Sequence, residues 1–266
     1  MPADPLTIFH QLEQSNCREC GEKTCLAFAA AVSIGRKNLA ACPRLSATAR
    51  AALAEHSPQA PASQHGQKHV EKLKAELRHV DLRQAAERCG GAYHDGWLTL
   101  HILGKSCATD QNGHLRTQLH LNYWLVSPFL TYIIGSAGMA PTGVWQSFRD
   151  LPGGMDRYPH FRKQAEEAMR SLADRQPGLF ADLVRIFSAK ELPPHFGADI
   201  SVLLLPLPKL PLLLSYWRAD EGIDSELHIH LDETAEHNLD IDSIHEICTG
   251  MATMFARLAA RHGGFA

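Results

Sequence analysis

Asp199-Ile-Ser-Val-Leu-Leu-Leu-Pro-Leu-Pro-Lys-Leu-Pro-Leu-Leu-Leu-Ser-Tyr-Trp-Arg218, followed after a polar break by Ser225-Glu-Leu-His-Ile-His-Leu-Asp232, decides the fold. Short apolar runs bounded by breakers read as strands, here Asp199–Pro206, Leu210–Arg218 and Ser225–Asp232. The third alternates strictly: Leu227, Ile229 and Leu231 on one side, His228 and His230 on the other, as a half-buried strand does. Before these strands, helices are expected at 159–174 and 178–188, the second carrying Leu179, Phe180, Leu183, Val184 and Phe187. After them comes a long helix over 241–261, with Ile244, Ile247, Cys248, Met251, Phe255 and Leu258 as its buried stripe. Further upstream, Trp97–Leu103 and His114–Leu121 flank the turn-forming Asp110-Gln-Asn-Gly113 and predict a hairpin. Asn122–Gly135 reads as helix despite Pro128, and Val70, Leu73, Leu77 and Val80 share a helical face. Strands joined through hairpins, with helices gathered around them, give an α+β class with a mainly antiparallel sheet.

The composition bounds the function. The chain has 266 residues, 45% of them hydrophobic, and a net charge of −3. That is enough for one good core plus an appendage, and it offers no basic field for nucleic acid or an anionic membrane. The most apolar stretch, Val202–Trp217, is interrupted by Pro206, Pro208, Lys209 and Pro211, so no transmembrane span is expected. The opening Met-Pro-Ala-Asp-Pro has no basic and apolar signal regions, which makes a cytoplasmic location the expectation.

The chemistry concentrates near the N-terminus, in Asn16-Cys-Arg-Glu-Cys-Gly-Glu-Lys-Thr-Cys25 and Cys42-Pro43. Four thiolates from one short segment, Cys17, Cys20, Cys25 and Cys42, can surround an iron–sulfur cubane. A four-thiolate zinc site is the alternative, although such sites more often pair two short Cys-x-x-Cys turns. Seven cysteines is an odd number and a poor basis for a disulfide framework. Gly21 permits a sharp turn bringing backbone N–H groups toward the sulfurs. Thr24 is a fitting N-cap for the run Cys25–Ile34, which would set Cys25 at the positive end of a helix dipole. Asp4-Pro5 starts a short helix ahead of this loop, and Ser46–His56 reads as another. Ser57–Gly66 lacks apolar periodicity, giving residues 1–56 as a cluster module, 57–66 as a linker and 67–266 as the α+β domain.

The first 45 or so residues, with all four cysteines, Phe28-Ala29 and Cys42-Pro43, resemble the small 4Fe–4S domain of the corrinoid iron–sulfur protein and of the B subunit of Rnf-type electron-transport complexes. That resemblance implies a 4Fe–4S cluster passing single electrons to a redox partner protein or small-molecule acceptor. The further ferredoxin motifs of the Rnf-type subunit do not follow here, and Cys89, Cys107 and Cys248 are too scattered for a second cluster. Gly104-Lys105, the run Pro141–Gly154, Pro206–Lys209 with Pro211, Tyr216-Trp217 and Asp232–Leu239 resemble an uncharacterised domain family of anaerobic bacteria and archaea, spanning about residues 70–262. It brings no activity with it.

Within the second part, His228, His230 and Asp232 fall on one face of a strand and are the best-spaced ligands for a mononuclear metal. Gly135-Ser-Ala-Gly138, Pro141-Thr-Gly143 and Gly153-Gly154 with Arg149 could cradle an anion. Trp97, Trp124, Trp145, Tyr216 and Trp217 could line a flat pocket, so a corrinoid or other tetrapyrrole is a second cofactor to weigh beside a mononuclear metal. No nucleophile motif is present. The expected function is an iron–sulfur redox protein whose second domain binds a substrate, cofactor or partner. A cofactor-handling enzyme and a zinc-stabilised interaction module are the alternatives.

Overall fold

The computed structural model describes residues 5–33, 37, 39–46, 49, 59–117, 119, 122–176 and 178–262. The chain divides into two compact units, Met1–His69 and Val70–Ala266. Their classes are those read from the sequence, a small helical segment and then a larger α+β body.

The first unit holds α1 (Pro5–His10), α2 (Cys25–Ser33) and a single turn at Leu39–Ala41. Its core is small: Ile8, Leu12, Phe28, Ala29, Val32, Leu39 and Leu45, joined by the buried Cys42. The expected helix over Ser46–His56 lies mostly outside the described residues. Helix α3 (Gln59–Leu77) crosses the division between the units, so the stretch expected as a linker is helical from Gln59 onward. Pro61 is compatible with this helix. It sits in the first turn, where its missing N–H leaves no helical bond unmade.

The second unit continues with α4 (Leu82–Cys89), capped by Asp81, whose carboxylate accepts from the N–H groups of Arg83 and Gln84, and closed by the left-handed Gly90. Four short antiparallel strands follow in order: β1 (Ala92–His94), β2 (Trp97–Ile102), β3 (Lys105–Thr109) and β4 (Leu115–Thr117). The expected pairing of 97–103 with 114–121 is corrected. Strand β2 turns at once through Leu103-Gly104, both at positive φ (48° and 73°), and pairs with β3 from Ile102↔Lys105. Such a two-residue turn matches the strand twist, and a leucine in its first position hid it from a search for Asn-Gly. The Asp110–Gly113 turn instead links β3 to β4.

After α5 (Tyr123–Gly135), β5 (Trp145–Ser147) joins a second antiparallel sheet of order β5-β9-β8-β7-β6. Its other strands are β6 (Lys190–Leu192), β7 (Ile200–Leu207), β8 (Leu210–Trp217) and β9 (Glu226–Asp232). The single helix expected over 159–174 is α6 (Gly154–Phe161), a π-turn at Arg162–Glu166, and α7 (Glu167–Arg175). Then come α8 (Leu179–Phe187), the short α9 (Ala235–Asn238) and α10 (Ile241–His262). Ile244, Ile247, Cys248, Met251 and Phe255 of α10 are fully buried and, with Leu212, Leu214, Ile229 and Leu231 of the sheet, belong to one core. Cys89 and Cys107 also lie in that core.

Candidate functional site

Cys17, Cys20, Cys25 and Cys42 line one small cavity of about 10 Å³, with Leu12 and Phe28 also in its lining. All four are free thiols, three half-buried and Cys42 buried. The loop between α1 and α2 is built from unusual backbone. Gln14, Asn16, Arg18 and Gly21 all have positive φ, which only asparagine and glycine among them adopt readily. Cys25 opens α2, where Thr24 Oγ1 accepts from Ala27 N at 3.0 Å as an N-cap does.

Gly21 supplies the turn, yet its own N–H is taken by Arg18 O at 2.9 Å. The N–H aimed at a sulfur belongs to Asn16, which donates to Cys25 Sγ at 3.3 Å while Asn16 Oδ1 accepts from Cys25 N at 2.7 Å. Asn16 thus ties the residue before the first cysteine to the third. Cys42 is brought back to the loop in a similar way: Arg44, two residues beyond it, donates to Glu19 at 2.6 Å, between Cys17 and Cys20. That contact holds the Glu19 carboxyl below its ordinary range. Lys37 Nζ bonds the Cys20 carbonyl at 2.6 Å and pairs with Glu22 at 3.1 Å. Four thiols with an apolar backing are a donor set that fits an iron–sulfur group.

In the second unit, His228 and His230 do share a face of β9, with ring centroids 6.2 Å apart, but Asp232 does not join them. Its carboxylate is fully buried and accepts from Thr142 N (3.0 Å), Gly143 N (2.7 Å), Thr234 N (3.0 Å) and Thr234 Oγ1 (2.7 Å). These bonds outweigh the upward push of burial and hold its pKa below the ordinary value. His228 faces Glu166, with Nδ1 3.6 Å from the carboxylate, and that partner raises its pKa. His230 is pushed down to about 4 by burial, with His228 adding to the effect, and packs 4.5 Å from the ring of Phe196. Among the described residues no three His, Cys, Asp or Glu are arranged to hold a single metal ion. The metal expectation for His228, His230 and Asp232 is therefore corrected.

The expected anion cradle is occupied from within. The N–H groups of Thr142 and Gly143 serve Asp232, Gly138 N serves Ser136 Oγ, and Met139 N serves Asn238 Oδ1. Arg149 is half-exposed beside Asp150 at 3.5 Å. The expected aromatic set is scattered over separate strands and α5, and of its members only Trp124 lines the cavity along α10.

Two groups escaped the sequence reading. Glu166, at the end of the π-turn, is 2% exposed and accepts from Ile229 N at 3.0 Å and Tyr158 OH at 3.1 Å. Glu246, on α10 near Ser127, is pushed up to about 7 by burial, against the downward pull of its Ser127 hydrogen bond. A glutamate set among stripe residues was the available signal for each. Glu246 binds a proton in the folded state between its ordinary value near 4.5 and about 7, so stability is lost as pH rises through that window. Discounted for partial exposure, Glu246→Gln should gain about 1–2 kcal/mol at pH 8 and little at pH 4. Urea denaturation followed by tryptophan emission checks this, since all four tryptophans lie in the second unit. Equal gains at both pH values would contradict it.

Comparison with known proteins completes the site. A family model described as "Domain of unknown function (DUF3786)" matches residues 81–254, more than half of the chain. A second, described as "Putative Fe-S cluster", matches residues 12–44 and so contains all four N-terminal cysteines. The chain is also similar to the corrinoid/iron–sulfur protein large subunit of Moorella thermoacetica, 49% identical over 53 residues. That match covers 20% of this chain and 12% of the subunit. No solved structure matches. No helix among the described residues is long and apolar enough to cross a membrane.

Proposed function

The chain belongs to the DUF3786 family, and from that footing we propose that it is an iron–sulfur redox protein whose Cys17, Cys20, Cys25 and Cys42 hold one 4Fe–4S cluster. One observation carries the ligand assignment: four free thiols from a 26-residue segment line a single cavity, with a helix N-terminus and an N–H directed at its sulfur side. The cluster supplies a one-electron couple when bound. The protein's own part is positional. Leu12 and Phe28 keep water from one side, the start of α2 favours negative charge at Cys25, and Lys37 and Arg44 fasten the ligand loop. The electron's destination, in this reading, is a partner or ligand of the second unit.

Anaerobically purified protein should contain about four irons and four acid-labile sulfides per chain. Stoichiometric zinc without sulfide would overturn the assignment and leave a zinc-stabilised module.

Asn16 acts here as a positioning residue. Asn16→Ala keeps the backbone N–H but loses the Oδ1–Cys25 N bond and the side chain that tolerates φ 50°. An N–H donated to sulfur favours the more negative, reduced cluster, so the variant's reduction potential should fall with iron content retained. A redox titration read by visible absorbance measures this, and an unchanged potential would show that the contact does not tune the site.

A further inference from the structure

A cavity of the second unit, about 960 Å³, runs along one face of α10 and is bounded opposite by α5 and the π-turn. Every residue of α10 that lines it falls on one stripe: Glu246, Thr249 with Gly250, Thr253 with Met254, and Arg257 with Leu258. This stripe is separate from the fully buried one that faces the core. Arg257 lies eleven positions after Glu246, so the groups at the two ends stand about 16 Å apart along the axis.

The middle of the wall is apolar. Thr249 Oγ1 is spent on the carbonyls of His245 and Glu246 (2.9 and 3.2 Å), and Thr253 Oγ1 on that of Thr249 (3.0 Å). Trp124 lies so close over Gly250 that a Cβ there would meet its indole carbons at 2.3 Å. The glycine is what lets this ring seat against α10. Asn122 and Tyr123 at the start of α5 and Gln164 of the π-turn add polar groups to the opposite side of the lining. Along α10, Glu246 lies at one end of the cavity and Arg257 stands at the other, without an ion-pair partner among the described residues. The volume is at the upper end of what small-molecule sites enclose, and an apolar body with few placed polar groups is their usual character.

We propose that this cavity binds an elongated aromatic anion, its ring system against Trp124 and Met254, a ring acceptor at the Glu246 carboxyl and its acid group on Arg257. The proposal deepens the redox reading by naming the class of ligand the second unit takes, and it rests on that reading only for the ligand's part in electron transfer. Arg257 selects for charge, because a guanidinium recognises phosphate, carboxylate or sulfonate through paired N–H groups.

The test uses the full chain and two pairs of probes: flavin mononucleotide against riboflavin, and 8-anilinonaphthalene-1-sulfonate against the neutral N-phenyl-1-naphthylamine. Fluorescence titration should give each anion a Kd about tenfold or more below that of its neutral counterpart, the contribution expected of one charge-assisted contact. Arg257→Gln should remove that preference, and Thr253→Phe should weaken all four probes by filling the cavity. Both positions are exposed, so both variants should fold. Equal binding of anion and neutral probe, indifference to both substitutions, or no binding of either anion at 1 mM would overturn the proposal. Cys20→Ala should bind the probes as wild type does. Loss of the iron assignment with retained binding sinks only the cluster reading, and an intact cluster with no probe binding sinks only this one.

Discussion

Cys20→Ala should empty the protein of iron, while Cys107→Ala and Cys248→Ala leave iron content unchanged. The three remaining N-terminal thiols cannot complete a four-thiolate site, and no other cysteine is suited to replace the fourth. Cys107 and Cys248 are 1% and 0% exposed in the core of the other unit. Burial pushes the Cys107 thiol up to about 11 and that of Cys248 higher still, so neither offers a thiolate at neutral pH. The loss should extend to structure. Among the described residues the first unit's core comprises eight side chains, one of them Cys42, and its cysteine loop holds Gln14, Asn16 and Arg18 at positive φ. So small a core gains little from burial against the entropy of ordering that loop, and cluster binding must supply the difference. Metal-free residues 1–56 should therefore show no cooperative thermal transition. A fragment starting at Gln59, where α3 begins, should fold without metal. Iron loss from Cys248→Ala equal to that from Cys20→Ala would mean the ligand set has been misread.

What could be read in the sequence follows from how local each feature is. The four N-terminal cysteines sit in one short segment, and their spacing alone limits what they could surround. The strands at 200–232 were legible because apolar runs and breakers are adjacent in sequence, whereas their register, Leu214↔Ile229 and Ser215↔His228, comes from the structure. The turn at Leu103-Gly104 was not, since Asn112-Gly113 nearby carries the stronger signal for the same conformation. The π-turn at Arg162–Glu166 was hidden because its one extra residue leaves the apolar spacing of Phe161, Ala165 and Met169 nearly helical. The cavity along α10 could not be foreseen at all. It depends on Trp124 meeting Gly250 and on Gln164 reaching the same space, contacts between residues remote in the chain.

Asp232→Ala should destabilise the second unit by about 3–5 kcal/mol, an effect that its strand spacing alone would have assigned to metal binding. The carboxylate has no exposed surface, and four donors converge on it. Two are backbone N–H groups of the Thr142-Gly143 turn and two belong to Thr234, so the substitution strips partners from both sides of the β5–β9 edge. Thr142 Oγ1 donates to Glu233 Oε1 and Glu233 N to Val144 O, but those contacts lie outside the pocket the carboxylate fills. Asp232→Asn should fare nearly as badly. Each carboxylate oxygen accepts from at least one backbone N–H, so an amide nitrogen at either position would face a donor that cannot turn away. The pH dependence gives the mechanism its signature. Because the folded pKa is depressed, the stabilisation is complete above the ordinary value near 3.8 and is lost as pH falls through the folded value. The gap between wild type and Asp232→Ala in urea should therefore narrow only in strong acid. A ligand for a resident metal would behave otherwise: wild-type stability at pH 7 would drop on adding a chelator, and the His228→Ala/His230→Ala double variant would lose as much as Asp232→Ala. With the two histidine rings packed on Phe196 and Trp217 and partly exposed, their joint removal should cost less than the aspartate alone.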